Sequence, residues 1–85
     1  MDFRLVMDIE QELGPLPQLA EKFLNGGWSL TELVTLRHIM LQAEGSTVDF
    51  MELGQRMTGQ GFATDYALAR QKLFRFLPPV ITVRL

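Results

Sequence analysis

The sequence predicts an all-α fold, a compact bundle of about five short helices with an extended C-terminal tail. Apolar residues recur at helical spacing in five segments, and glycines or prolines separate these segments from one another. Several of the segments also begin with residues that favour a helix N-terminus. Because 85 residues have room for one core, we expect a single helical domain over residues 1–77, followed by the tail at 78–85.

The first two helices are predicted over about residues 3–13 and 16–25. In the first, Leu5, Ile9 and Leu13 lie four residues apart, and Gly14 follows them as a C-terminal glycine. The second has Pro17 in its first turn, where the missing N–H of proline costs nothing. Its apolar stripe follows the i, i+3, i+4, i+7, i+8 pattern and comprises Leu16, Leu19, Ala20, Phe23 and Leu24.

The third helix has the clearest start signal in the chain. Ser29 and Glu32 form the S-x-x-E pattern of a capping box, and Trp28 precedes them as a hydrophobic staple for Leu33. The segment that follows is apolar over most of its circumference, which predicts the central helix of the bundle. Its polar residues are confined largely to one stripe, made of Thr31, Thr35, His38 and Gln42.

The fourth helix is predicted over about residues 48–58, with either Ser46 or Thr47 as its cap. Its predicted buried side consists of Phe50, Leu53 and Met57, with Met51 and Gly54 beside them.

The fifth helix is predicted to begin after Thr64 as N-cap, with Asp65 in the first turn and cations in the second half. Its predicted apolar face comprises Tyr66, Ala69, Leu73, Phe76 and Leu77.

The C-terminal tail begins with Pro78 and Pro79, which stop any helix. The β-branched residues after them predict an extended segment or a short strand. Three alternatives stay open for this segment: packing across the helices, fraying, or pairing with a sheet edge of another chain.

Residues that would support catalysis are scarce in this sequence. It has no cysteine and a single histidine, His38, so neither a thiolate metal site nor a His–Cys pair can form. His38 lies on the predicted polar stripe, which is typical of a surface residue. We therefore expect no enzyme activity, no metal and no cofactor.

The charges are divided unevenly along the chain. Residues 1–53 contain nine acids and three cations, whereas residues 54–85 contain five cations and one acid. The two halves can attract each other within one fold or drive head-to-tail contact between copies. The net charge of −2 argues against nucleic-acid binding, because it provides no attraction for phosphates.

The sequence also predicts where the protein is found. No apolar run approaches the ~18 residues that span a bilayer, and the first residues contain acids, unlike a signal peptide. We therefore expect a cytoplasmic protein without membrane contact.

Protein binding is the remaining class of function, and flexible methionines and a basic helix end are its candidate surfaces. For the methionines, filling a small core is an equally good interpretation. The candidate partner-binding residues are Met51, Met57, Arg70, Lys72, Arg75, Val80, Ile81 and Val83.

Several motifs occur in a characteristic order: IEQELG at 9–14, LPQLA at 16–20, NGGWSL at 25–30, AEG at 43–45 and LG at 53–54, with Gly61 before the last helix. In this order the chain resembles, over roughly residues 3–77, the small tail-assembly proteins of gene transfer agents and related tailed phages. The resemblance implies an all-α, chaperone-like protein that keeps the tape-measure protein or another tail component soluble during assembly. It also implies association with oligomers, so the formation of a homo-oligomer by this chain stays an open alternative. The alternative is a generic helical adaptor or transcriptional regulator with a helix-turn-helix-like hairpin at 48–77.

Overall fold

The computed structural model describes residues 3–75 and confirms the predicted all-α bundle. The tail, the domain boundary after residue 77, and the candidate residues Val80, Ile81 and Val83 lie outside the described residues. The described part of the chain contains five helices: α1 Phe3–Leu13, α2 Leu16–Asn25, α3 Leu30–Ala43, α4 Phe50–Met57 and α5 Phe62–Arg75.

Helix α3 is the central helix, as its apolar circumference predicts. It packs against α1, α4 and α5, while α2 packs against α1 and α5. Three of its side chains, Leu33, Leu36 and Met40, are fully buried. Each of the other helices buries one apolar stripe against its neighbours, and the buried side chains of these stripes are Leu5, Val6, Ile9, Leu16, Leu19, Ala20, Phe23, Leu53, Met57, Ala69 and Leu73.

The predicted capping box at the start of α3 is confirmed. The Ser29 hydroxyl accepts a hydrogen bond from the backbone N–H of Glu32 at 3.1 Å, and the Glu32 carboxylate accepts one from the backbone N–H of Ser29 at 2.9 Å. Glu32 also pairs with the Lys22 ammonium at 2.7 Å. The hydrogen bond from Lys22, followed by that from the Ser29 backbone, lowers the pKa of Glu32 below its ordinary 4.5. The ionised Glu32 therefore contributes its full stabilisation at pH values above the ordinary pKa of 4.5, and this contribution is lost as the pH falls through the lowered pKa.

Ser29→Ala is expected to lower the free energy of unfolding by about 1 kcal/mol, because it removes the side-chain acceptor of the capping box. Urea unfolding followed by circular dichroism measures the change. Thr31→Ala, in the same turn but outside the box, is the control and is expected to be neutral or slightly stabilising. Equal losses from both variants would contradict the role of Ser29 as a cap.

The second helix has a cap that the sequence did not indicate. Pro15 precedes α2 and provides no side-chain acceptor. The carboxylate of Glu10, on α1, instead accepts a hydrogen bond from the backbone N–H of Leu16 at 2.8 Å. The α1–α2 corner is therefore fixed by a side chain from the preceding helix.

Two predicted helix starts are wrong. Helix α4 begins at Phe50 rather than Val48, and its cap is Asp49, whose carboxylate accepts hydrogen bonds from the N–H groups of Met51 and Glu52. Aspartate is about as good an N-cap as serine and a better one than threonine, and its charge also suits a helix N-terminus.

Helix α5 begins at Phe62, which places Thr64 inside the helix rather than at its cap. This earlier start allows Phe62 and Tyr66 to stack on each other at 5.7 Å and to pack against Trp28, the residue that precedes the cap of α3. Tertiary packing of these aromatic rings explains the extra residues at the start of the helix.

Candidate protein-binding site

A buried ion cluster joins three of the helices. The carboxylate of Asp65, on α5, accepts hydrogen bonds from Arg37 of α3 at 2.9 Å and from Arg56 of α4 at 3.1 and 3.2 Å. The side chains of Asp65 and Arg37 are 5% and 9% exposed, whereas that of Arg56 is 52% exposed. Gly61 lies against the cluster, where a Cβ would come within 3.1 Å of the Arg56 side chain and 3.4 Å of the Asp65 carboxylate.

The ion cluster is a structural feature rather than a ligand site. No buried side-chain nitrogen or oxygen within residues 3–75 lacks a hydrogen-bond partner. The buried charges of the cluster are therefore already paired with one another. The cluster also occupies the first turn of α5, in the hairpin that the sequence presents as a helix-turn-helix candidate. That turn is directed into the protein by Asp65, Phe62 and Tyr66, rather than toward a nucleic-acid groove.

The predicted basic surface at the end of α5 is divided in the structure. Lys72 pairs with Glu44 at the end of α3, and this hydrogen bond is the main cause of the lowered pKa of Glu44. Arg75 is exposed and lines a surface cavity together with Lys72 and Glu44. Arg70 lies two residues before Lys72, which on an α-helix directs it to the other side, and its guanidinium covers the ring of Phe74 at 5.4 Å. Lys72 and Arg75 are therefore together, and Arg70 is separate.

The uneven charges of the sequence are joined within one fold. Glu44 and Arg37 belong to the first part of the chain, and each pairs with an opposite charge from the second part, Lys72 and Asp65 respectively. The Lys72–Glu44 pair joins an excess cation of the second part to an excess acid of the first within one copy of the chain, whereas the Arg37–Asp65 pair uses the scarcer charge of each part and offsets none of the asymmetry.

The two candidate methionines of α4 differ in their exposure. The prediction that Met57 binds a partner is wrong, because its side chain is 0% exposed and lies in the core. Met51 is 66% exposed. They are six positions apart, so the two side chains lie on different faces of the helix, and only the face with Met57 packs inward.

An open apolar groove lies beside Met51, between α3 and α4, with a volume of about 240 Å³. None of the described residues that line it is charged, and most of its surface is hydrocarbon. Leu30, which is 40% exposed, lies on its α3 side, and Met51 lies on its α4 side. The lining residues are Leu30, Thr31 and Val34 from α3, and Phe50, Met51, Gly54, Gln55 and Thr58 from the α4 segment.

The walls of the groove are two helices that run in opposite directions. Phe50, at the start of α4, meets His38 edge-on at 5.5 Å, whereas Gly54, further along α4, faces Val34, which is earlier in α3. His38 is half-buried rather than on the surface, and its Nε2 lies 3.1 Å from the carbonyl oxygen of Val48. This contact and the Asp49 cap position the start of α4 against the middle of α3.

The sequence indicated only part of this groove. Met51 was a candidate binding residue, while Phe50 and Gly54 were placed on the buried side of α4 and are in fact half-buried. Leu30 and Val34 gave no separate signal, because they belong to a helix that is apolar on nearly all sides. The neighbouring positions of Leu30 and Val34, four residues apart, are the pattern that could have indicated one wall.

Within residues 3–75, no group of three or more His, Asp or Glu side chains is placed to hold a metal ion. None of the helices in that part of the chain has the length and apolar character that crossing a bilayer requires. In comparisons with known proteins, the chain matches no family model, no curated protein sequence and no solved structure.

Proposed function

We propose that this protein is a non-enzymatic assembly protein of phage-type tails, acting as a chaperone that binds another tail component through an apolar helical surface. The observation that carries the proposal is the α3–α4 groove, which leaves Met51 and Leu30 exposed beside an uncharged cleft. The resemblance to tail-assembly proteins of gene transfer agents and tailed phages supplies the class of partner. The tape-measure protein and the tail-tube protein are the first candidates.

The chemistry of the groove suits a binding role. Exposed apolar area that surrounds a concave surface is a feature of protein-interaction sites. The unbranched side chain of Met51 can adjust its rotamers to different helical partners at little cost. The groove is also smaller than the roughly 300–1,000 Å³ typical of small-molecule sites, so it favours a few side chains of a protein over a compact ligand.

Co-expression with tape-measure and tail-tube proteins of a gene transfer agent or a tailed phage tests the proposed function. We expect one of them to co-purify with the wild-type chain at low salt. Met51→Glu is expected to lower the affinity by about tenfold or more, because binding would bury a carboxylate without a partner. Since position 51 is exposed and glutamate is a good helix former, this variant should fold normally.

Met7→Glu provides the matched control. Met7 is also an exposed methionine on a helix, but it lies on α1 and does not line the groove. We expect this variant to bind like the wild type. If neither tail component co-purifies with the wild-type chain, the proposed function is wrong.

A further inference from the structure

Gly54 occupies the middle of an eight-residue helix, where it weakens the helix relative to alanine. A glycine in such a position usually has a structural reason, either a positive φ or a close neighbour. The positive-φ glycines of the described residues are Gly14, Gly26 and Gly45, so Gly54 has ordinary helical backbone. A glycine is therefore not required at this position by the backbone.

Packing within the chain does not require it either. A Cβ built on Gly54 would have one neighbour within 4 Å, the Cγ1 atom of Val34 at 3.8 Å, which is an ordinary van der Waals contact. Gly61 differs, since a Cβ there would press on the Arg56 side chain at 3.1 Å. The fold could therefore accept an alanine at position 54.

The effect of the missing side chain is to open the groove. Gly54 lines the groove together with Val34, between the exposed side chains Leu30 and Met51. Without a Cβ, the backbone of α4 is accessible to another molecule at this point. Glycine is favoured where a ligand or another backbone approaches closely.

We propose that Gly54 is a specificity-determining residue of the groove, and that the occupant is an amphipathic α-helix of a partner protein, whose apolar anchors pack over the α4 backbone. This inference rests on the proposed function, because it specifies the partner surface for the same site. A cleft between two helices receives a helix through apolar side chains at i and i+3 or i+4. The described residues contain only helices and their connections, so they offer no sheet edge for an extended peptide.

The uncharged lining and a neighbouring acid predict the charge of the residues beside the apolar stripe of that helix. Charged anchors are excluded, because a charge buried among the uncharged lining residues would have no partner. Glu52 borders the groove, since it lies next to Met51 and three residues before Gln55 on the surface of α4. It is exposed and forms no ion pair within residues 3–75. The occupant should therefore have a lysine or arginine beside its apolar stripe.

Gly54→Ala gives the first test, because it should stabilise the fold if nothing within the chain requires glycine at this position. The methyl group fits beside Val34 and improves helix propensity, so the folding equilibrium constant is expected to rise by roughly two- to fivefold. Urea unfolding measures this change. A loss of stability would show that the fold itself needs glycine, and the inference would be overturned.

Binding is measured with two synthetic peptides, each of about 18 residues, or five helical turns. Both have the same leucine stripe at i, i+3, i+4 and i+7, one with lysine and the other with glutamate at the flanking positions. We expect the lysine peptide to bind more tightly, and to shift the NMR signals of the Met51 methyl and the Gly54 amide. Glu52→Lys is expected to remove most of this preference. Shifts confined to other surfaces, or equal binding of both peptides, would contradict the inference.

Gly54→Leu, which fills the groove, is expected to lower the affinity for the lysine peptide by about tenfold or more. Ala67→Leu places the same leucine side chain at an exposed position of α5 and is the matched control, with unchanged binding expected. Equal binding by Gly54→Leu and the wild type would overturn the inference. Sedimentation of the free protein tests the competing occupant: self-association that Gly54→Leu abolishes would assign the groove to a second copy.

These results separate the two proposals. If the peptides bind as expected but no tail component co-purifies, the groove inference stands and the proposed function fails. If a tail component co-purifies equally well with wild type and Gly54→Leu, the proposed function stands and the groove inference fails.

Discussion

Asp65→Asn is expected to lower the free energy of unfolding by about 3 kcal/mol or more, because it leaves a buried guanidinium without its counter-charge. Arg37 is 9% exposed and hydrogen-bonded to Asp65 at 2.9 Å, so most of its side chain is shielded from water. The side chain of Arg56 is half-exposed and stays hydrated. Urea unfolding at neutral pH measures the loss. Asparagine has nearly the same size as aspartate, so the change reports the charge rather than a cavity.

Two comparisons show whether the ion cluster causes the loss of stability in Asp65→Asn. Asp8→Asn removes an exposed acid that pairs with Arg4 on the same helix, and we expect it to cost less than about 0.5 kcal/mol. The double variant Arg37→Met with Asp65→Leu removes both buried charges. Its loss of stability should be smaller than the sum of the losses from Arg37→Met alone and Asp65→Leu alone. Additive losses would show that Asp65 and Arg37 act independently.

Leu36→Ala and Leu33→Ala are each expected to cost about 2–5 kcal/mol, because truncating a buried leucine loses hydrocarbon burial and leaves a cavity. Both side chains are fully buried in the central helix, which packs against three others. Thermal or urea unfolding of each variant gives the free energy. The spread within this range depends on how far the neighbouring side chains collapse into the space.

Leu30→Ala is the matched control on the same helix. Its side chain is 40% exposed and contributes to the groove rather than to the core. We expect it to cost less than about 1 kcal/mol, because little apolar area is removed from the buried state. A loss below about 0.5 kcal/mol at both Leu33 and Leu36 would show that α3 is not the centre of the fold.

Local signals in the sequence predicted the helices well, and their starts unevenly. The capping box of α3 could be predicted because Ser29 and Glu32 are three residues apart and bond to each other's backbone. The start of α4 was harder, since Ser46, Thr47 and Asp49 are all acceptable caps. The contact between His38 and Val48, ten residues apart, accompanies the choice of Asp49 in the structure.

The candidate site depended more strongly on tertiary structure. Met51 and Met57 are the same residue type in the same helix and both suit an apolar face, so the sequence could not show which one lies on the surface and which in the core. The direction in which α4 packs on α3 decided that Met57 is buried and Met51 borders a groove. Gly54 gave no functional signal by itself, because its meaning depends on the distance to Val34 across the helix pair.

By itself, the sequence determined the fold class, the five helices within residues 3–75 and the central position of α3, because apolar periodicity and caps act over a few residues. Only the tertiary structure decided which polar residues are buried and which apolar residues are left exposed. Arg37 and Asp65 are 28 residues apart, and no local pattern relates them. The α3–α4 groove likewise exists only where two helices meet, since its surface is a property of their packing rather than of either helix.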